Sequence, residues 1–513
     1  MRRPLAVGGL AALAFYGWVL ARHAQEVASG ADNSGYMNAA RLFLAGKLRE
    51  ELRLPPGVTP EQFRPWVFTP LGFIPTPDGQ QLVPLYPPGL SLAQAAAASL
   101  VGSVEQASRW VNVVFGVLLL PLMYRTARVV GLSRGYALGA TVLLALDPVT
   151  LRFFTWNMSD GPATFWVTAA MCFALKSRGR TSYATLAGFA FSVATAIRPT
   201  NFLLLPALLF ACFRARQGLP AFAIGASPVL LLLFAYNQLQ YGAFWRTGYG
   251  AVAQEFKARY LLPTLWHYLL WLGRFFSPLA LLALAVHLRA AAKRFQPHLV
   301  LALWWMPFFA FYAFYKYTND AWWYLRFVLP ALPALILGAC AAVPDLTRSL
   351  ARWWQPKWAR AVAWLVAAMA GAASLWWVSR LRVLELTRDE LMYRQGVQWV
   401  DKHTPERSMI FASQLSGSFY FYTPRAVLRY DLTTPQELMG LLGLAEQKGI
   451  PAYLALFDFE ARVFTRRNPN LTEPKGSWGR IVLLQFVPKA SQEVGKVLAS
   501  PPVRRPSVIP DGK

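Results

Sequence analysis

The sequence predicts an α-helical polytopic membrane protein with about eleven transmembrane helices and a small C-terminal α/β domain. Composition is the first reason. Of 513 residues, 55% are hydrophobic and only 15% are charged, and the charges are swept out of long apolar blocks instead of being interleaved as on a soluble surface. Block length is the second. A crossing helix needs about 20 mostly apolar residues, or about 17 where neighbours and snorkelling side chains help. Blocks that pass begin near Leu5, Trp110, Tyr136, Gly161, Tyr183, Asn201, Leu219, Leu265, His298, Phe327 and Ala361.

The third reason is where Lys and Arg fall. Arg2 and Arg3, then Arg125, Arg128 and Arg134, then Lys176, Arg178 and Arg180, then Arg214 and Arg216, then Arg289, Lys293 and Arg294, then the stretch 348–360 occupy alternate loops. Positive loops stay cytoplasmic. The intervening loops, with Asp32, Asp160, Arg198, Arg246 and Asp320, then face outward. The expected arrangement is a multi-pass protein of the plasma (inner) membrane, N-terminus cytoplasmic and C-terminal domain extracytoplasmic. Residues 89–102 would break the alternation as a span; short and Ala-rich, they read as an interfacial helix. Met1-Arg2-Arg3 ahead of an apolar run also suits a signal peptide, but the polytopic continuation favours a first span.

The domains expected are a transmembrane domain over 1–380, with a long first outer loop at about 22–108, and an extracytoplasmic α/β domain over 381–513. Long loops between packed elements tend to be functional. This one is rich in proline, at Pro55, Pro65, Pro75, Pro84 and Pro87, and reads as irregular chain on the membrane surface. After Arg380 the apolar runs shorten to strand length at 409–412, 427–429, 453–457 and 480–486, and 435–448 reads as an amphipathic helix with Thr434 as N-cap.

The formal charge of +26 lies largely in the loops that topology and anionic lipid explain, and no basic-aromatic module points to nucleic acid. Cys172, Cys212 and Cys340 all fall inside predicted spans and read as packing residues. The five histidines show no ligand spacing.

Ionisable groups near hydrocarbon are costly and need a reason to be there. Asp32 follows the first span in Ser29-Gly30-Ala31-Asp32-Asn33-Ser34-Gly35-Tyr36, ahead of an expected amphipathic helix at 37–48. It suits a capping aspartate, or a general base whose charge a helix N-terminus stabilises. Asp160, in Trp156-Asn157-Met158-Ser159-Asp160-Gly161-Pro162, follows a very short outer turn, where Ser159 or Asp160 is a natural N-cap. Arg198 and Arg326 stand at outer helix ends, where Arg snorkels to headgroups or holds phosphate with its planar fork. Arg274 lies inside a span, between Gly273 and Phe275, as a lipid-phosphate contact. Aromatic residues at Trp245, Tyr249, Trp322, Trp323 and Tyr324 suit an interfacial belt and sugar stacking alike.

Several strings carry a resemblance. They are Asp32 with Tyr36 and Ala39-Ala40-Arg41; Tyr86-Pro87-Pro88-Gly89-Leu90; Ser159-Asp160-Gly161-Pro162; Ala196-Ile197-Arg198-Pro199-Thr200; Tyr236-Asn237 through Tyr241-Gly242 with Thr247-Gly248-Tyr249-Gly250; and Arg326-Phe327-Val328-Leu329-Pro330 with Pro333. In this order the chain resembles the GT-C glycosyltransferases, in the polyprenyl-phosphate-sugar-dependent branch related to protein O-mannosyltransferases and bacterial aminoarabinose transferase. The resemblance implies a membrane glycosyltransferase with Asp32 as catalytic base and Asp160 organising the donor. Tyr36, Tyr86, Arg198, Tyr249, Arg274, Asp320 and Arg326 are the substrate-binding candidates. Many relatives carry a second acid beside the first, where this chain has Asn33. A divalent cation on Asp32 and Asp160 therefore stays open. The partners implied are a polyprenyl-phosphate sugar, a glycan, lipid or protein acceptor, and membrane lipids.

The rival class is a transporter or lipid-binding scaffold without chemistry. Transporters place polar groups at midplane between internal repeats, whereas here they cluster at the outer ends of spans and in one long loop, which favours an enzyme.

Overall fold

The computed structural model describes residues 2–213, 217–293, 296–350, 356–492 and 494. Met1, Arg214, Arg216 and Arg294, residues 351–355 of the basic stretch, and the end of the C-terminal domain from 495 lie outside the described residues.

The helices run in chain order as α1 (Arg2–His23), α2 (Gly30–Leu44), α3 (Pro88–Val101), α4 (Val104–Val130), α5 (Arg134–Leu146), α6 (Pro148–Thr155), α7 (Asp160–Lys176), α8 (Ser182–Ile197), α9 (Leu205–Phe213), α10 (Gly218–Tyr241), α11 (Leu261–Phe276), α12 (Pro278–Ala292), α13 (His298–Tyr312), α14 (Leu332–Leu350), α15 (Pro356–Arg380) and α16 (Leu386–Asp389). Two compact units result. The first is helical and takes residues 1–26, 39–46 and 85–390; the second takes 27–38, 47–84 and 391 onward.

Local chemistry sets the helix ends of the first unit. Ser103 caps α4 by accepting the Gln106 N–H, and Gly131 closes it with φ 104°. Asp147 caps α6 by accepting the Thr150 N–H at 2.7 Å and its hydroxyl at 2.8 Å, and that turn bends α5 and α6 into a pair at 58°. α8 and α10 press together at two glycines: a Cβ on Gly188 would stand 2.0 Å from the Phe222 carbonyl oxygen, and one on Gly225 1.9 Å from that of Thr185. Small residues let backbones approach this closely, as membrane helix packing requires.

Each predicted block is helical. Among the described residues, three helices are singly long and apolar enough to cross a membrane, Val104–Val130, Gly218–Tyr241 and Trp322–Ser349, and five if two bent pairs count as one span each; shorter apolar helices account for further blocks. The block from Leu265 is corrected from one rod to a broken pair. The chain turns at Ser277, which has φ 73°, and the flanking helices meet at 118°. Hydropathy could not register this break, because both arms are apolar. Residues 89–101 lie in α3 and Gly102 caps its C-terminus; its face of Leu90, Ser91, Gln94, Ala95 and Ala98 is buried.

The second unit holds two sheets. β1 (Glu50–Glu51), β2 (Phe73–Pro75) and β3 (Gln81–Pro84) form a small antiparallel sheet in the order β1-β3-β2. β4 (Met409–Ala412), β5 (Val427–Arg429), β6 (Ala452–Phe457), β7 (Thr472–Trp478) and β8 (Ile481–Phe486) are ordered β5-β4-β6-β8-β7, with β4 parallel to both neighbours and β8 antiparallel to β6 and β7. Four more helices complete the unit: α17 (Leu391–His403), α18 (Ser416–Tyr422), α19 (Pro435–Gln447) and α20 (Asp458–Arg467).

Strand alternation splits this core in two. Met409, Phe411, Leu428, Leu454 and Leu456 face Leu441, Leu442 and Phe464 of α19 and α20, while Ile410, Ala412, Val427 and Ala455 face Val397, Val400 and Phe419 of α17 and α18. Thr434 caps α19 in a reciprocal capping box with Glu437, as expected. The proline-rich loop departs from expectation. Val58, Val67 and Phe68 are buried in the first of these cores, so 47–84 is folded chain packed into the C-terminal unit. Its apolar residues are too scattered to reveal a periodicity.

Candidate functional site

In the helical unit one charged cluster forms around Asp160. This residue opens α7 and is fully buried. Ser159 makes no side-chain capping bond, and Asp160 Oδ1 instead accepts a charge-assisted hydrogen bond from Arg198, the C-cap residue of α8. The capping reading therefore gives way to a buried ion pair. The other oxygen, Oδ2, has no hydrogen-bond partner among the described residues.

Phe327 links this pair to the second arginine. The Arg198 guanidinium stands 5.9 Å and that of Arg326 5.1 Å from its ring centroid, within cation–π range. Tyr312 stacks on Phe327 at 5.0 Å and donates its hydroxyl to Thr200 Oγ1 at 2.9 Å; Tyr324 stacks on it at 5.7 Å. One carboxylate and two guanidiniums are thus gathered from α7, α8 and the 3-10 helix Trp322–Ala331.

The next two candidates join through the backbone. Tyr86 is buried and meets Tyr249 edge to face at 5.9 Å, because Gly248 lies against Leu85: a Cβ there would stand 2.2 Å from the Leu85 carbonyl oxygen. Gly89 likewise abuts the Ala196 peptide, where a Cβ on it would stand 2.6 Å from the carbonyl carbon, two residues before Arg198. The strings around 86–90, 159–162, 196–200, 247–250 and 326–327 hence converge on one another.

Two candidates stay outside these contacts. Arg274 is exposed, stacked on Trp271 at 4.7 Å and Trp377 at 5.3 Å. It lines an apolar groove of about 530 Å³ with Trp266, Leu269, Leu281 and Met369. Asp320 is exposed in the turn before Trp322.

Asp32 and Tyr36 belong to the second unit. α2 begins seven residues earlier than expected, so Asp32 sits in its first turn and not ahead of it, where the helix dipole favours a negative charge. Asp32 is half-buried and Tyr36 buried one turn on. Asn33, where a second acid was sought, is buried and donates to Ser29 Oγ at 2.8 Å.

Among the described residues no three His, Cys, Asp or Glu are grouped to hold a metal ion.

Sequence reasoning missed a ring of buried polar side chains around the same turn. Gln94 of α3 donates to Asn157 Oδ1 at 2.5 Å, and Asn112 of α4 donates to the Trp156 carbonyl at 2.9 Å. Arg152 stacks on Trp156 at 4.0 Å and pairs with Glu390 at 3.9 Å. A lone amide in an Ala-rich or apolar stretch, as at Gln94 and Asn112, is the signal that was available.

Comparison with known proteins finds the dolichyl-phosphate-mannose-protein mannosyltransferase family model on residues 86–219, a minority of the chain that holds both Asp160 and Arg198. No curated protein matches. Among solved structures, ArnT from Cupriavidus metallidurans bound to undecaprenyl phosphate superposes with a TM-score of 0.58 at 13% identity, over 94% of this chain and 99% of that one. Its apo state gives 0.59 at 14%, over 96% and 99%. The Archaeoglobus fulgidus oligosaccharyltransferase tethered to an acceptor peptide gives 0.50 at 12%, over 87% and 69%. The chain therefore shares its fold with ArnT along almost the whole length of both chains.

Proposed function

We propose that the protein is a membrane glycosyltransferase that moves a sugar from a polyprenyl-phosphate donor to an acceptor on the extracytoplasmic side. The observation that carries this reading is the gathering of Asp160, Arg198 and Arg326 around Phe327 within a fold like that of ArnT, whose structure was solved with undecaprenyl phosphate. An outward-facing site has no supply of nucleotide sugars, so the activated sugar arrives on a membrane lipid, and its leaving group is a phosphate. Arg198 and Arg326 supply the positive charge that stabilises that departing phosphate. Asp160 holds Arg198 in place through their buried bond.

Asp32 acts as general base. Its carboxylate takes the proton of the acceptor hydroxyl as the acceptor oxygen bonds to the anomeric carbon. The bond from that carbon to the phosphate oxygen breaks, and the polyprenyl phosphate leaves with the electron pair. A single displacement inverts the anomeric configuration.

The test is transfer of label from a radiolabelled polyprenyl-phosphate sugar, in membranes carrying wild type or Asp32→Asn at matched expression, with total membrane glycoconjugates as acceptor. Loss of a general base lowers the rate about 10²- to 10⁴-fold with donor binding kept. Equal transfer by both proteins removes the base assignment. Neither transfer nor binding across a panel of donors replaces the enzyme with a transporter or scaffold.

A further inference from the structure

The segment that carries Asp32 is gripped from both sides by one short helix of the C-terminal unit. Ser418 and Tyr422 lie four residues apart and so share one face of α18. Both engage the same residue. The Ala28 N–H donates to the Tyr422 hydroxyl at 2.9 Å, and the Ser418 hydroxyl donates to the Ala28 carbonyl at 2.7 Å. Ala28 and Ser418 are fully buried.

The grip repeats beyond Asp32. Asn38 Nδ2 donates to the Gly417 carbonyl at 3.0 Å, so the clamp brackets Asp32 from four residues before to six after. Backbone contact closes the space between. A Cβ on Gly417 would stand 2.1 Å from Ser34 Oγ, and one on Gly72, at φ +92°, 2.3 Å from Gly35 Cα. Gly72 is itself tethered through Leu71, whose N–H donates to Ser416 Oγ at 3.1 Å. α18 follows directly on β4, which is bonded on both sides in the five-stranded sheet, so the clamp is mounted on a rigid element.

We infer that α18 is the device that positions the base: Ser418, Tyr422 and Asn38 are positioning residues that fix Asp32 for proton abstraction, and this is the role of the C-terminal unit in the reaction. The inference rests on the reading of Asp32 as base. A base held about 1 Å out of place loses on the order of 10² in rate without losing substrate affinity.

The experiment is a double-mutant cycle on the full-length protein in membranes, with a radiolabelled polyprenyl-phosphate sugar as donor. Ser418→Ala/Tyr422→Phe is combined with Asp32 or with Asp32→Asn, and kcat and the donor KM are measured for each. The clamp predicts a fall in kcat of about tenfold or more with Asp32 present, an unchanged donor KM, and no further fall in the Asp32→Asn background, because coupled residues are non-additive. An equal fall in both backgrounds assigns α18 to bracing the fold; it overturns the clamp and leaves the base standing. An unchanged kcat with Asp32 present also overturns it. If Asp32→Asn alone matches wild type, the base reading fails and the clamp with it. Should the double variant not accumulate as folded protein, Asn38→Ala carries the same cycle with the same outcomes.

Discussion

The two units hold their candidate carboxylates in opposite ways. In the helical unit Asp160 is fully buried with its charge answered by Arg198. In the α/β unit Asp32 is half-buried in the first turn of α2, and what is gripped is the backbone on either side of it. A carboxylate already bonded to a guanidinium is a poor proton acceptor and a good organiser of positive charge, which is the role proposed for Asp160. The contrast runs parallel to the different roles that the resemblance implies for the two acids.

The comparison breaks most readily at Asp160. Removing one partner of a buried pair strands the other charge, at about 3–5 kcal/mol. Arg198→Leu is therefore expected to lower the thermal stability of the purified protein strongly, and Asp160→Asn/Arg198→Leu to regain much of it. If the single variant is as stable as wild type, the pair is not what holds the turn. At the same time, transfer should stay low in the double variant, since the positive charge for the phosphate is gone.

Packing sharpens the comparison next. In the helical unit α8 and α10 touch through bare backbone, so Gly225→Ala pushes a methyl onto the Thr185 carbonyl. Overpacking of this kind costs about 1–3 kcal/mol, read as a lower unfolding temperature in detergent. Gly443 of α19, with nothing within 4 Å of its Cβ position, is the matched control and should take Ala without loss.

The smallest effect is electrostatic and confined to the α/β unit. Glu437 is held down to about 2 from its ordinary 4.5, first by its hydrogen bond from Arg64 and then by the Thr434 cap. A depressed carboxyl contributes stability that is present above the unfolded value and is lost as pH falls from about 4.5 towards about 2. Arg64 is exposed and solvent screens the pair, so the contribution is small. Thermal unfolding followed through that window should drop more steeply for wild type than for Glu437→Gln. Parallel curves would show that Glu437 adds nothing beyond its capping geometry.

How much of this was legible varies with the range of the interaction. The strands at 409–412, 427–429, 453–457 and 480–486 and the Thr434 cap were readable because period-2 alternation and capping act within a few residues. β7 was not: Thr472–Trp478 is a polar edge strand with a bulge at Pro474 and Gly476. The bend at Ser277 and the folding of 47–84 onto the C-terminal unit escaped for a related reason, since neither leaves a mark in local hydropathy.

By itself the sequence determined the helical blocks, the α/β tail, the order of the site strings and the choice of Asp32, Asp160, Arg198 and Arg326 as candidates. Those follow from side-chain chemistry and short-range periodicity, which the chain carries whatever its tertiary partners. Only the tertiary structure decided that Asp160 pairs with Arg198, that Phe327 joins both arginines, and that α18 grips the chain around Asp32. Those contacts span 38 residues in the first case and 394 between Ala28 and Tyr422 in the last. No local pattern encodes such a separation, because it is set by which surfaces the folded backbone brings together.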